Sequence, residues 1–266
     1  MTETPRSLAD RLRRFRAAYG VARAREGRGG EAELLALPYV TQGPLAKEWN
    51  VRARSFDALA GKWLQDGPKR ILDLGAGNGW LCYRTAQHGH RPVAVDVRTD
   101  DVDGLAAANG YRPHLETLFP RVAASFDGMP FRTDSFDVCI FNASLHYALD
   151  LAAVLREVAR VVAGGGRIFV IDSPFYRREE TGRQMVEEKR RNADRQFGDL
   201  AGDLAGLPFI EFLTPRRLHD ASSRLGLAWR RHRVWYPLWY ELRPLVALLR
   251  RRRPPSRFDV WESVVP

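Results

Sequence analysis

Cysteine is scarce in this 266-residue chain, which has only Cys82 and Cys139. One follows a glycine-rich turn and the other lies inside an apolar run, so neither a disulfide framework nor a zinc site is supported. Long apolar runs are also missing. None approaches the roughly 18 residues of a membrane span, and the first residues show no apolar signal core, so a cytoplasmic location is expected. Lysine is rare as well: among 42 basic residues only Lys47, Lys62, Lys69 and Lys189 are lysines, and the net charge of +10 rests on arginine. With Ala and Gly abundant, that bias is what GC-rich codon usage produces. The charge is therefore a weak argument for a nucleic-acid partner, although it leaves room for a local basic patch.

What is present is a chain that folds. Apolar residues make up 45% of it, enough for the core of one sizeable α/β domain with additions. The stretch that organises it is Ile71-Leu72-Asp73-Leu74-Gly75-Ala76-Gly77-Asn78-Gly79-Trp80, a short apolar run with an acid inside it, then three glycines at alternate positions. It reads as a strand entering a tight turn and opening a helix. Glycines there allow positive φ and close backbone approach, and a side chain at Gly75 or Gly77 is expected to take a ligand's place. Asp73 costs desolvation in an apolar strand unless a cation or hydrogen-bond donors meet it.

Around this stretch the pattern falls into three parts. Residues 1–66 read as an N-terminal helical arm and cap: an outer helix with Leu8, Leu12, Phe15 and Tyr19 on one stripe, glycines at 27–30, a break at Leu37-Pro38-Tyr39, then a helix over 47–64. The Trp49, Phe56, Leu59 and Trp63 face of that helix reads as core, with Tyr39 or Trp49 closing over a ligand as the alternative. Residues 67–236 alternate strand and helix: strands near 70–74, 92–96, 121–125, 136–142 and 166–172, helices near 79–88, 104–109 and 151–162. Single helices between strands imply right-handed crossovers and a parallel, doubly wound sheet. A charged helix over 178–197 follows, lid-like in its position, then a helix capped by Thr214-Pro215 and ended by Gly226. Strands are expected at 227–235 and 258–264. The last part, 237–266, holds a basic amphipathic insertion and the final strand.

Asp73-Leu74-Gly75-Ala76-Gly77-Asn78-Gly79 resembles motif I of the class I S-adenosylmethionine-dependent methyltransferases, notably the small-molecule enzymes around the ubiquinone methyltransferases (methyltransferase type 11). Four further signals fall in that family's order: Asp96 ending the second strand, Met129-Pro130-Phe131, Phe136-Asp137-Val138, and the 155–162 helix followed by Gly164-Gly165-Gly166. The resemblance spans roughly 45–235. It implies a seven-stranded, mostly parallel Rossmann-like sheet with N-terminal helices and a helical insertion before the last strand. It also implies S-adenosyl-L-methionine as cofactor. Motif I, with Asp73, Gly75, Ala76, Gly77 and Gly79, would approach the methionine part and ribose, Asp96 with Val97 would take the ribose hydroxyls, and Asn142 would meet the methionine end. For adenine, relatives place an acid five residues before Pro130, where this chain has Ser125. Either Ser125 and the Phe126 backbone take over, or Asp127 shifts into place. A nicotinamide reading fails because Trp80 stands where G-x-G-x-x-G needs its third glycine.

Methyl transfer from a sulfonium needs little acid–base machinery beyond in-line positioning. Should the acceptor keep its proton, His146 just past the fourth strand is the candidate base, with Tyr147, Phe175 and Tyr176 as candidate pocket walls. Asn142-Ala143-Ser144-Leu145 lacks the two prolines and aromatic of base-amine methyltransferases, and no Pro-Cys nucleophile is present. These readings favour a small-molecule or lipid-linked acceptor in biosynthetic or secondary metabolism. The alternatives are an RNA methyltransferase, raised by the charge, and a non-catalytic cofactor-binding partner protein. Finally, Trp235-Tyr236-Pro237 and the apolar run to Leu249, followed by Arg250-Arg251-Arg252-Arg253, combine what an interfacial membrane helix uses, so 237–253 could touch the inner face of a membrane. A helix packed on the sheet edge is the bland alternative.

Overall fold

The computed structural model describes residues 7–26 and 31–266; the glycines at 27–30 lie outside the described residues. Three helices come first, α1 (Leu8–Arg25), α2 (Glu31–Ala36) and α3 (Ala46–Trp63). The strands among the described residues are β1 (Arg70–Leu74), β2 (Arg91–Asp96), β3 (Arg121–Ala123), β4 (Phe136–Asn142), β5 (Val162–Ile171), β6 (Arg230–His232) and β7 (Val260–Val264). Helices α4 (Trp80–Gln87) and α5 (Leu151–Val161) form crossovers. Helices α6 (Glu179–Phe197), α7 (Ala201–Ala205) and α8 (Pro215–Ser222) lie between β5 and β6, and α9 (Leu238–Glu241) and α10 (Arg243–Leu249) between β6 and β7.

The seven strands make one sheet in the order β3-β2-β1-β4-β5-β7-β6. β1 to β5 pair in parallel, and β7 enters antiparallel between β5 and β6. Parallel strands need apolar side chains on both faces because crossover helices cover both. Ile71, Ile140, Phe169 and Val260 pack with Phe56, Leu59 and Trp63 of α3 and with Leu81 of α4. Leu72, Leu74, Cys139, Phe141 and Val170 pack with Leu155 and Val158 of α5 and with Leu218 of α8. Both helices on this second face are capped as the sequence demands. Asp150 accepts the N–H groups of Ala152 and Ala153 at 2.9 and 3.0 Å, and Thr214 accepts that of Arg217 at 3.1 Å.

Two expected elements come out differently, and one pair of alternatives is settled. The helix over 104–109 is replaced by 3-10 turns over Ala107–His114, because Asp100 takes the N–H groups of Val102 and Asp103 and Pro113 has none to offer. The strand over 227–235 shrinks to β6, since the Val234 N–H is taken by the Asp259 carboxylate at 3.2 Å instead of a neighbouring strand. Tyr39 is half exposed and donates to Asp57 at 2.8 Å, outside the lining of the main cavity, whereas Trp49 is both core and cavity wall.

Phe169 sits fully buried on β5, 5.1 Å from the Trp63 ring. Replacing it with Ala removes a large ring from a closed layer, so Phe169→Ala is expected to cost about 3–5 kcal/mol in a urea titration.

Candidate functional site

The turn after β1 is folded back onto β2. The N–H groups of Gly75 and Ala76 both donate to the Val95 carbonyl, at 2.8 and 3.1 Å, and the N–H of Gly77 donates to Asp96 Oδ2 at 2.8 Å. Gly75 has φ +75°, and a Cβ built there would stand 2.3 Å from the Ser144 Cβ. At Gly77 a Cβ would meet the Asp103 carbonyl at 3.2 Å. The glycines are therefore demanded by the protein's own close approach, to the segment after β4 and the loop after β2, besides lining the cavity.

Asp96 is held from two sides. Its second oxygen, Oδ1, accepts the Arg98 N–H at 2.8 Å, which leaves each carboxylate oxygen further lone pairs for a ligand. Burial raises its pKa against the opposing effect of those backbone donors. Arg98 then forks onto Asp100 at 2.8 and 3.0 Å and reaches Asp103 at 3.4 Å, while Asn78 donates to Asp103 at 3.1 Å. The two turns are thus tied to each other by a charged lattice that sequence reading did not anticipate.

A cavity of about 450 Å³ opens over the carboxyl ends of the strands. Gly75, Ala76 and Gly77 line one side of it, Asp96 and Val97 the next, and Ser125, Phe126 and Asp127 the rim beyond. Ser125 donates to Asp127 at 2.5 Å, so the two candidate adenine groups belong to one turn. Asn142 and His146 lie on the opposite side. Asn142 is buried, and its Oδ1 has no partner among the described residues.

Two expected site residues stand outside the lining. Gly79 starts α4, where a Cβ would come 2.9 Å from the Phe119 ring. Asp73 shares the face of β1 occupied by Ile71 and points beneath the turn toward α4, because alternate residues of a strand face the same way. Its Oδ2 takes a weak hydrogen bond from Cys82 at 3.5 Å, its Oδ1 has no partner among the described residues, and burial raises its pKa to about 7. Among the described residues no other donor meets it.

Other residues enter the lining unannounced. Asp172, closing β5, is 4% exposed. Its Oδ1 accepts the Ser55 hydroxyl at 2.5 Å, its Oδ2 is unpartnered among the described residues, and burial raises its pKa to about 7 against the pull of Arg52. An acid ending an apolar strand at the carboxyl edge was the available signal, the same one that drew attention to Asp96. Helix α1, expected on the outside, forms the roof with Phe15, Tyr19 and Arg23. The rings of Phe15, Tyr19, Tyr147 and Phe209 form one cluster, with centroids 4.9–6.2 Å apart. The lid-like helix, α6, contributes no lining side chain. It packs instead on α7, which α1 also touches. Phe175 stacks on Trp261 at 4.6 Å and Tyr176 accepts from Arg253 at 3.1 Å, so of the three expected walls only Tyr147 reaches the cavity. His146 is half-buried with Nδ1 unpartnered among the described residues. Burial, Lys189, Arg52 and Arg23 push its pKa down to about 3, so the ring is neutral at neutral pH.

This arrangement defines an open α/β sheet carrying a nucleotide-type site at its carboxyl edge. Residues 72–170 match the methyltransferase-domain family. The chain carries a class I S-adenosylmethionine-dependent methyltransferase domain, and S-adenosylmethionine is the cofactor of that domain. Malonyl-[acyl-carrier protein] O-methyltransferase of Legionella pneumophila is 32% identical over 122 residues, 44% of this chain and 39% of that protein. Ubiquinone biosynthesis O-methyltransferase of Aeromonas salmonicida is 30% identical over 102 residues, 38% of this chain and 42% of that protein. The chain thus spans about two fifths of the length of each of these two relatives. Geranyl diphosphate C-methyltransferase of Streptomyces coelicolor shares the fold with TM-score 0.59 at 14% identity, over 87% of this chain and 88% of that one. The cavity fits the cofactor on its own evidence: a two-oxygen acceptor at Asp96, a glycine turn, and an orphaned buried oxygen at Asn142.

Two outcomes follow. Asp96→Asn keeps the shape but removes the charge, so S-adenosylmethionine affinity measured by calorimetry should fall on the order of tenfold to a hundredfold. For Asp73 and Asp172, a folded-state pKa raised from 3.8 to about 7 means stability that is present at acid pH and lost as pH rises through about 7. Asp73→Asn should flatten part of that decline in urea midpoints taken between about pH 4 and pH 8.

Proposed function

We propose that this protein transfers a methyl group from S-adenosylmethionine to a small-molecule or lipid-linked acceptor of biosynthetic or secondary metabolism. The observation that carries the reading is the division of one cavity into a polar half, with Asp96 and Asn142, and an aromatic half, with Phe15, Tyr19, Tyr147 and Phe209. When bound, the cofactor supplies a methyl group already activated on a sulfonium. Asp96 would hold the ribose hydroxyls, the Ser125–Asp127 turn would border adenine, and Asn142 would accept from the methionine end. The aromatic half would take an acceptor with a flat or apolar body.

Asp172 would receive the proton that the acceptor loses. Ser55 fixes one of its oxygens and the other is free at the cavity. With a pKa of about 7 it is a far stronger base than His146, whose pKa is about 3. His146 would serve as a neutral hydrogen-bonding wall. Relatives named for malonyl-[acyl-carrier protein] and for ubiquinone biosynthesis support an acceptor of this size. Against RNA, several arginines are spent inside the chain: Arg98 on Asp100 and Asp103, Arg217 on Glu179, Arg257 on Glu241 and Asp259.

The test begins with labelled S-adenosylmethionine and host extract, followed by mass identification of the labelled product; calorimetry showing no cofactor binding by the purified protein would sink the proposal. With the acceptor in hand, turnover should rise through about pH 7 as Asp172 ionises. Asp172→Asn should abolish that limb and lower kcat about a hundredfold, with cofactor affinity nearly unchanged, while His146→Gln should cost less than about tenfold. Loss of cofactor binding in Asp172→Asn would reassign the residue to the cofactor.

A further inference from the structure

Exposed large apolar side chains are concentrated in one place. Of the twelve among the described residues, eight fall within 235–249, including Trp235, Leu238, Leu245, Leu248 and Leu249 at 52–74% exposure. Scattered exposed leucines need no explanation, but a continuous stretch on two short helices does. α9 and α10 are separated by a turn at Leu242, and Arg243-Pro244 restarts the second helix. Three arginines, Arg250 to Arg252, follow with exposed side chains. The fourth, Arg253, is withdrawn from the cluster, since it is bound to Glu188 at 2.6 Å and donates to the Tyr176 hydroxyl at 3.1 Å.

Charge selects what covers this face. Between 233 and 258 the only acid is Glu241. It is already committed to Arg257 at 2.9 and 3.0 Å, to Arg233 at 3.4 Å and to the Tyr236 N–H at 3.2 Å. A second copy of the same face would bring arginines without carboxylates to meet them. A layer of anionic headgroups over hydrocarbon supplies both complements, with aromatic Trp235 and Trp239 at the boundary.

We propose that 235–252 docks on an anionic lipid surface, with Leu245, Leu248 and Leu249 in the acyl boundary and Arg250 to Arg252 on lipid phosphates. The docked hairpin is anchored to the cavity. Tyr240 is buried, and its hydroxyl accepts the Phe258 N–H at 2.9 Å. The Tyr236 hydroxyl donates to the Phe258 carbonyl, and Phe258 is itself a cavity wall. On the methyl-transfer reading, on which this consequence rests, docking brings the cavity to a lipid-linked acceptor held at the membrane surface.

Co-sedimentation of the full chain with vesicles of phosphatidylglycerol and phosphatidylcholine, against phosphatidylcholine alone, tests the docking. Wild type should bind the anionic vesicles, less so in high salt. Replacing Arg250, Arg251 and Arg252 by Gln should weaken that binding on the order of a hundredfold. Leu245→Asp with Leu248→Asp should abolish it, and both variants should keep wild-type affinity for S-adenosylmethionine, since the altered side chains are outside the cavity. Docking is overturned if wild type ignores both kinds of vesicle. It is equally overturned if light scattering shows a dimer that the double variant dissolves and vesicles do not compete with. Failure of cofactor binding in wild type would strike the methyl-transfer reading instead, leaving the vesicle result to stand alone.

Discussion

The clamp of the glycine turn onto β2 is the constraint on which the site depends. Two N–H groups converge on the Val95 carbonyl and a third on Asp96, so the turn and the cavity's Asp96 carboxylate are set by the same three hydrogen bonds. Close approach of Ser144 locks the turn from the other side. Because β1 and β2 pair in register, Leu74 against Val95, the position of the clamp follows from the sheet itself. Rigid placement of this kind is what in-line chemistry requires of a protein that contributes mostly orientation.

Sequence reading recovered the sheet because parallel strands buried on both faces leave unmistakable apolar runs, as in Val138-Cys139-Ile140-Phe141. It singled out Asp96 because the acid lies at a strand end after a glycine turn, and that strand end borders the cavity. It failed where side chains from distant segments converge. Asp172 was visible only as the last residue of a strand, and its link to Ser55 spans 117 positions. The α1 stripe of Leu12, Phe15 and Tyr19 looked like any amphipathic helix, and nothing local revealed that its apolar face covers a cavity instead of a core. The charged α6 occupied the expected place of a lid, but its salt links, such as Lys189 to Glu211, hold it beside the roof. Short elements were misjudged where a carboxylate side chain, Asp100 or Asp259, replaced a neighbouring backbone as hydrogen-bond partner.

Two buried carboxylates with similar acidity have different stations. Asp73 lies under the turn with only a thiol for company, and Asp172 opens onto the cavity with a hydroxyl and a nearby guanidinium. The difference is one of strand parity and strand end. A residue inside β1 points into a helix-covered layer, whereas Asp172, the residue just past β5, is released from the pleat, with φ +53°. Carboxylates with raised pKa values cluster at functional sites, and the parity of the strand decides which of them can reach a ligand.

The antiparallel entry of β7 has a consequence for how the molecule assembles. β7 pairs with β5 through residues such as Arg167 and Val264, roughly a hundred positions apart, so this edge of the sheet closes the longest loop in the strand ladder. The apolar stretch with its arginines lies inside that loop, just before the closing strand. Pairing across such a separation carries the largest loop-closure cost in the ladder. The position of the apolar hairpin is thus fixed by the strand pairing with the largest sequence separation in the sheet, Arg167 against Val264.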